Sequence, residues 1–277
     1  MTTYRTYSAV ATCEDIESPF RIDVRFLGGL SPTQEAAFEA AADRWTTVII
    51  GDLPGVIVDG EEIDDILILA QGKPIDGVGK ILGQAGPTHV RPESAGTFAL
   101  LPAKGIMTFD TADLEAMETE GTLGDVITHE MGHVLGIGTM WSFKELVEGL
   151  DTDNPRFIGQ LATTEYSALR GSEQTDGVPV ENTGGPGTRG GHWRETVFRN
   201  ELMSGFIAEP GNPLSRVTAG SLADMGYQVD LEKADPYELV DLVALADAGK
   251  LLPRAAPIDA GIVLPVIPQS LPDDAML

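Results

Sequence analysis

From Phe20 to Phe26 the chain reads Phe-Arg-Ile-Asp-Val-Arg-Phe, an unbroken alternation of apolar and charged residues that predicts a strand with one buried face. Gly28 and Gly29 end it. Ser31-Pro32-Thr33-Gln34 then offers an N-cap, a proline at the first helical position and a glutamine three residues after the cap. Phe38, Ala41, Trp45 and Val48 follow at helical spacing, so a long amphipathic helix is expected over 32–49. Ile66-Leu67-Ile68-Leu69-Ala70 is a continuous apolar run between acidic residues and Gly72, the pattern of a strand covered on both faces. Strand, helix, strand in this order implies a right-handed crossover between parallel strands. Gly105 to Asp110 predicts a further strand, and Leu123 to Ile137 a helix with Ile127, Met131 and Val134 along one side.

Beyond Trp141 the periodicity fades. Turn-forming residues collect up to Gly191, above all in Thr183-Gly184-Gly185-Pro186-Gly187, which predicts a loop-rich insertion or second lobe. A last helix is expected over Val217 to Met225, stopped by Gly226. Pro253, Pro257, Pro265, Pro268 and Pro272 then punctuate an apolar stretch that suits an extended strap or a flexible end. The expected organisation is an α/β lobe over 1–140 that carries the active-site helix, a loop-rich lobe over 141–237 and an extension over 238–277. The fold class is mixed α+β. No internal repeat is evident, nor any glycine-rich calcium nonapeptide.

Eighteen Lys and Arg against 43 Asp and Glu give a net charge of −25. Such a field repels phosphate backbones and anionic headgroups, so nucleic acid is not an expected partner. No apolar run reaches the length of a membrane span, and no stable membrane insertion is expected. Met1 to Phe20 lacks a cationic segment followed by an apolar stretch, which leaves classical signal-driven export unsupported and the compartment open. Cys13 is the only cysteine, so no intrachain disulfide forms; an inert thiol is its default reading. The sequence is silent on oligomeric state.

His129-Glu130-Met131-Gly132-His133 places two imidazoles one turn apart on a predicted helix, the separation that holds one zinc ion, with a glutamate between them. The two histidines point away from the row Ile127, Met131 and Val134, so that side packs while the other meets the metal. The chain continues to Gly136, giving H-E-x-x-H-x-x-G, and this resembles the metzincins. In that clan the next ligand stands three residues after the glycine, where this chain has Thr139. The remaining histidines are His89 and His192.

His192 sits in Gly191-His192-Trp193-Arg194-Glu195, followed by Asn200-Glu201-Leu202-Met203-Ser204-Gly205, and these two segments resemble the leishmanolysin group of metzincins. There an insertion of tens of residues displaces the third zinc histidine, and here His192 follows Gly136 by 56 residues. The resemblance extends to Arg44-Trp45, Gly51-Asp52-Leu53-Pro54, Gly83 to Pro87, Val180 to Gly185 and Ser221 to Tyr227. It implies one zinc ion per chain on His129, His133 and His192, Glu130 as the catalytic base, and Met203 in a tight turn beneath the metal. It also implies a metzincin-like zincin fold, with a twisted mixed sheet and the active-site helix in the first lobe. A peptide or protein substrate would pair with an edge strand, for which Gly105 to Phe109 is the candidate.

Other readings stand beside these. The ligand set closes without His89, whose default is an ordinary loop histidine. Glu61, Glu62, Asp64 and Asp65 match no calcium-binding loop, so calcium has no support and a solvated charge run is the simpler reading. Outside the resemblance, Met203 reads as a core methionine in a tight turn. The functional expectation is a zinc metalloendopeptidase in which Glu130 assists attack of water on a peptide bond. The alternative is a zinc-stabilised binding protein without turnover.

Overall fold

A computed structural model describes residues 3–12, 18–77, 79, 83–171, 175–185, 188–205, 207, 210–239 and 267–277. Strands β1 (Arg5–Val10) and β2 (Arg21–Gly28) pair antiparallel, and β2 buries alternate residues as its sequence pattern requires. Helix α1 (Pro32–Val48) starts at a complete capping box: Gln34 N donates to Ser31 Oγ at 3.2 Å and Ser31 N donates to Gln34 Oε1 at 3.0 Å. The hairpin of β3 (Val56–Val58) and β4 (Glu61–Ile63) follows, then β5 (Ile66–Lys73), β6 (Gly83–Val90) and β7 (Pro102–Asp110). Helices α2 (Thr111–Glu120) and α3 (Leu123–Val134) close this half.

The next stretch holds more regular structure than its turn-rich composition suggests. Strands β8 (Val147–Glu148), β9 (Arg156–Phe157) and β10 (Val178–Pro179) form a small antiparallel sheet around helix α4 (Gln160–Leu169). Helices α5 (Glu195–Phe198) and α6 (Arg216–Met225) come after it, and strand β11 (Gln269–Ser270) lies in the last described segment.

The main sheet has the order β1-β2-β5-β7-β6-β11, so the fold is a mixed α+β one as expected. Strands β2, β5 and β7 run parallel; β6 runs antiparallel to β7, and β11 parallel to β6. This corrects the expected edge strand. Gly105 to Phe109 belongs to β7, which is paired on both sides, whereas β6 meets β11 only through His89 and Val90. Among the described residues, the free edge of the sheet at this side is therefore β6 ahead of His89, where Pro87 is tolerated because its missing N–H removes no bond from a central ladder. His89 is accordingly a strand residue and not a loop one.

Helices α1 and α3 pack on one face of this sheet. Phe38, Trp45 and Val48 of α1 and Ile127, Met131 and Val134 of α3 bury with Ile22, Val24, Ile68, Met107 and Phe109 in one continuous apolar cluster. Ile66, Ile68 and Ala70 point into it, while Leu67 points to the opposite face. There a second cluster gathers Val56, Val58, Ile63, Ala103, Leu271 and Ala275, which is why β5 reads as an uninterrupted apolar run. Leu271 N donates to Val90 O and Leu277 N to Gly55 O, both at 2.9 Å, so residues 269–277 act as a strap on the sheet. Pro253, Pro257 and Pro265 lie outside the described residues. Among the described residues, no helix is long and apolar enough to cross a membrane.

Asp65 is buried at the start of β5 and accepts Leu53 N at 2.6 Å and Arg21 N at 2.8 Å. Burial pushes its carboxyl up to about 7 against these bonds. The unfolded chain releases the same proton near pH ~4, so between the two values the folded state binds more protons and stability falls as pH rises. For Asp65→Asn, urea midpoints measured from about pH 4 to about pH 7 should show a shallower fall than the parent. An identical slope in both proteins would contradict the assignment.

Candidate metal centre

The histidine-bearing helix is fixed before it meets any ligand. Trp45 Nε1 of α1 donates to Thr128 O at 2.9 Å, which sets α3 against α1 immediately before His129. Gly132 marks the closest point of packing. A Cβ placed there would lie 2.8 Å from Met203 Sδ and 3.0 Å from Trp45 Cζ2, so the glycine between the two histidines is required by what lies under the helix. The helix ends at Val134, three residues earlier than its periodicity suggests, and Gly136 turns the chain at φ 106°. Thr139, at the position of the usual metzincin ligand, donates its hydroxyl to His133 O at 2.7 Å and braces the helix end.

His192 reaches this helix through a second close approach. Gly138 has φ 73°, and a Cβ on it would fall 1.9 Å from Gly191 O. Only glycine lets the two backbones meet there. On the other side Glu181 N donates to His192 O at 2.9 Å and Gly190 N to Glu181 O at 3.0 Å. The Glu181 carboxylate is buried: Oε1 accepts Asn182 N, Thr183 N and Thr183 Oγ1 at 2.7–3.0 Å, and Oε2 accepts Glu195 N at 2.9 Å. Trp193 packs into a buried aromatic group, tilted against Trp141 and Phe198 and edge-on to Phe157.

The three imidazoles converge. His129 Nε2 and His133 Nε2 are 3.1 Å apart, His129 Nε2 and His192 Nε2 3.1 Å, and His133 Nε2 and His192 Nε2 2.9 Å. Each Nδ1 faces a backbone carbonyl: His129 meets Leu202 O at 2.6 Å, His133 meets Ile137 O at 2.8 Å and His192 meets Thr188 O at 3.0 Å. A carbonyl only accepts, so each Nδ1 carries the proton and each neutral ring turns an Nε2 lone pair to the common point. Four-coordinate zinc with nitrogens at ~2.0–2.1 Å needs ligand atoms roughly 3.3 Å apart, so the donor set fits with an opening of a few tenths of an ångström.

Glu130 is fully buried, and its Oε1 lies 3.9 Å from His129 Nε2. Met203 is fully buried with its sulfur against Gly132. His89 lies apart from the cluster, in contact with Thr88 Oγ1 at 3.1 Å. Of the acidic run, Glu61 pairs with Arg25 and Asp65 is engaged by backbone donors; Asp52, Asp64 and Asp65 lie near one another, two of them exposed. Cys13 lies outside the described residues. Sequence reasoning did not single out Glu181 and Glu201, although both stand in the segments that carry the resemblance. Their type suggests surface carboxylates, and only the fold reveals that both are buried.

Two glycines of α3 test this packing. Gly132→Ala forces Met203 or Trp45 to move and should cost about 1–3 kcal/mol, read as a lower melting temperature. At Gly124 a Cβ meets nothing within 4 Å, so Gly124→Ala should raise stability by about 0.4–1 kcal/mol. Equal effects at the two positions would refute the contact beneath the helix.

Comparison with known proteins adds independent support. The family model described as leishmanolysin matches residues 85–240, a span that begins within β6 and includes α3, the loop of His192 and α6. Leishmanolysin of Leishmania donovani is 24% identical over 250 residues, covering 82% of this chain and 40% of that protein. Leishmanolysin of Leishmania chagasi is 25% identical, covering 82% of this chain and 39% of that protein. A leishmanolysin-like peptidase of Caenorhabditis elegans is 39% identical over 67 residues, or 24% of this chain and 10% of that protein. The chain thus spans about two fifths of the length of the Leishmania relatives. With more than half of its length matched by the model and three of its four histidines brought to one point, this chain belongs to the leishmanolysin family.

Proposed function

We propose that this protein is a zinc-dependent metalloendopeptidase whose metal is held by His129, His133 and His192. The observation that carries the reading is the convergence of three Nε2 atoms whose rings are locked as Nδ1–H tautomers by three carbonyls. Structural zinc sites usually have four protein ligands, whereas three neutral histidines leave one position open, the arrangement of catalytic sites. When bound, zinc lowers the pKa of its water towards neutrality and polarises the substrate carbonyl.

Glu130 is assigned the proton traffic. Its carboxylate lies beside the ligand cluster, where it accepts a proton from the attacking water and delivers it to the leaving amine. Burial keeps bulk water from competing for that proton. Met203 supports the ligands by packing under Gly132 and is not assigned as a ligand. The substrate is assigned as an extended peptide that joins the edge of β6 by main-chain hydrogen bonds, a mode that confers affinity with little sequence choice. β6 stands over α3: a Cβ on its neighbour Gly105 would lie 2.3 Å from Val134 Cγ1 and 3.0 Å from Gly86 O.

Zinc stoichiometry and casein hydrolysis, each with and without chelator, test this. The parent should carry one zinc and lose activity with it. Glu130→Gln should retain zinc and lose about 10²- to 10⁴-fold in turnover, because it removes the base and keeps the shape. A variant that folds, binds zinc and matches an inactive parent would favour the zinc-stabilised binding protein instead. His192→Ala should lose metal and activity together, while His89→Ala should keep both; the reverse result would misassign the third ligand.

A further inference from the structure

We propose that Glu201 is a positioning residue that sets the affinity of the histidine cluster for its metal, by clamping one peptide unit that orients His129 and by a relay to the segment of His192. The inference rests on the zinc reading above. Glu201 is fully buried, and its carboxylate is met by four donors. Oε2 accepts Met203 N at 2.6 Å; Oε1 accepts Ser215 N at 3.1 Å, Ser215 Oγ at 2.7 Å and Thr218 Oγ1 at 2.5 Å. Only a group that accepts at both oxygens satisfies this set.

The bond from Met203 N matters because that N–H and the carbonyl of Leu202 belong to one planar peptide unit. Leu202 O is the acceptor of His129 Nδ1 at 2.6 Å. Glu201 therefore holds one edge of a rigid plate whose other edge fixes the plane and tautomer of a ligand. The other oxygen leads to the third histidine. Trp193 Nε1 donates to Thr218 Oγ1 at 2.8 Å, the Thr218 hydroxyl donates to Glu201 Oε1, and Trp193 N donates to Met203 O at 2.9 Å. A buried carboxylate outside the ligand set thus connects the two ligands farthest apart in sequence, His129 and His192. Groups that orient metal-binding histidines typically influence metal affinity by about 10- to 100-fold when removed.

Glutamine is the informative replacement, since its amide nitrogen must face either Met203 N–H or Ser215 N–H, neither of which accepts, and on the second side the Ser215 and Thr218 hydroxyls would also have to turn their protons away from it. The experiment measures zinc dissociation constants by competition with a chromophoric chelator, the visible spectrum of the cobalt-substituted protein and the thermal melt of the metal-free protein. Glu201→Gln should weaken zinc binding by about 10- to 100-fold and change the cobalt spectrum. Thr218→Val should shift both in the same direction by a smaller factor, and Thr218→Ser should restore the parental values. A Glu201→Gln protein with a lower melting temperature but parental zinc affinity and cobalt spectrum would reduce Glu201 to a structural role and overturn the proposal. Should that variant fail to fold, parental affinity in Thr218→Val overturns it equally. A parent that binds no zinc would instead overturn the metal reading itself.

Discussion

Three backbone carbonyls, those of Ile137, Thr188 and Leu202, decide which way the imidazoles face. A neutral histidine presents a lone pair only at the nitrogen that lacks the proton, so each carbonyl selects a tautomer by accepting from Nδ1. The carbonyls come from three places: the turn after α3, the loop before His192 and the turn that carries Met203. Each is held in place by a constraint close to it in the chain. Ile137 depends on the chain reversal at Gly136, Thr188 on the loop around Glu181, and Leu202 on the clamp of Glu201. The rest of the architecture reads as the means of bringing these carbonyls to three rings at once.

That requirement explains where the close contacts fall. The sheet and α1 supply a rigid floor for α3, and Trp45 of that floor together with Met203 leaves room only for glycine at position 132. At the far side the backbone of Gly138 touches that of Gly191, which shortens the distance from the helix to the loop by the width of a side chain. The aromatic group around Trp193 then prevents the loop from sliding. Apolar burial provides the stability here, while hydrogen bonds to a few buried carboxylates select one geometry among many packed alternatives.

The sequence made α1, β2, β5 and α3 legible because each obeys a single rule over its full length: a capping box, an alternation of two, a two-faced apolar run and a row at helical spacing. Strand β6 obeys none. Gly83-Gln84-Ala85-Gly86-Pro87-Thr88-His89-Val90 has no alternation and contains a proline, because an edge strand is held chiefly by main-chain pairing with one neighbour. Mistaking β7 for the edge follows from the same fact, since β7 carries the stronger apolar signal for being the more enclosed. Helix α2 was equally hidden, its apolar residues Leu114 and Met117 being too few for a clear period. The two histidines of α3 were readable from spacing alone, whereas His192 needed the family resemblance, for a cluster gathered across a long insertion leaves no local pattern. Glu181 and Glu201 were unreadable as buried groups, because burial of a carboxylate depends on donors supplied from distant positions.

The strap of residues 269–277 carries a consequence for how the molecule comes together. Val56 bridges to Met276 across about 220 residues of chain, and Leu271 and Ala275 join a cluster whose other buried members lie between Val56 and Ala103. Loop closure over such a span is slow to be repaid, since its entropy cost is met before any contact forms. The main cluster with α1 and α3 needs none of these residues, so it can assemble first, with the second cluster over β5 completed only when the strap arrives. Among the described residues the strap meets the sheet through main-chain bonds to Val90 and Gly55 and through Leu271 and Ala275 in the smaller apolar cluster, and it shares no buried residue with the cluster that holds the histidine helix.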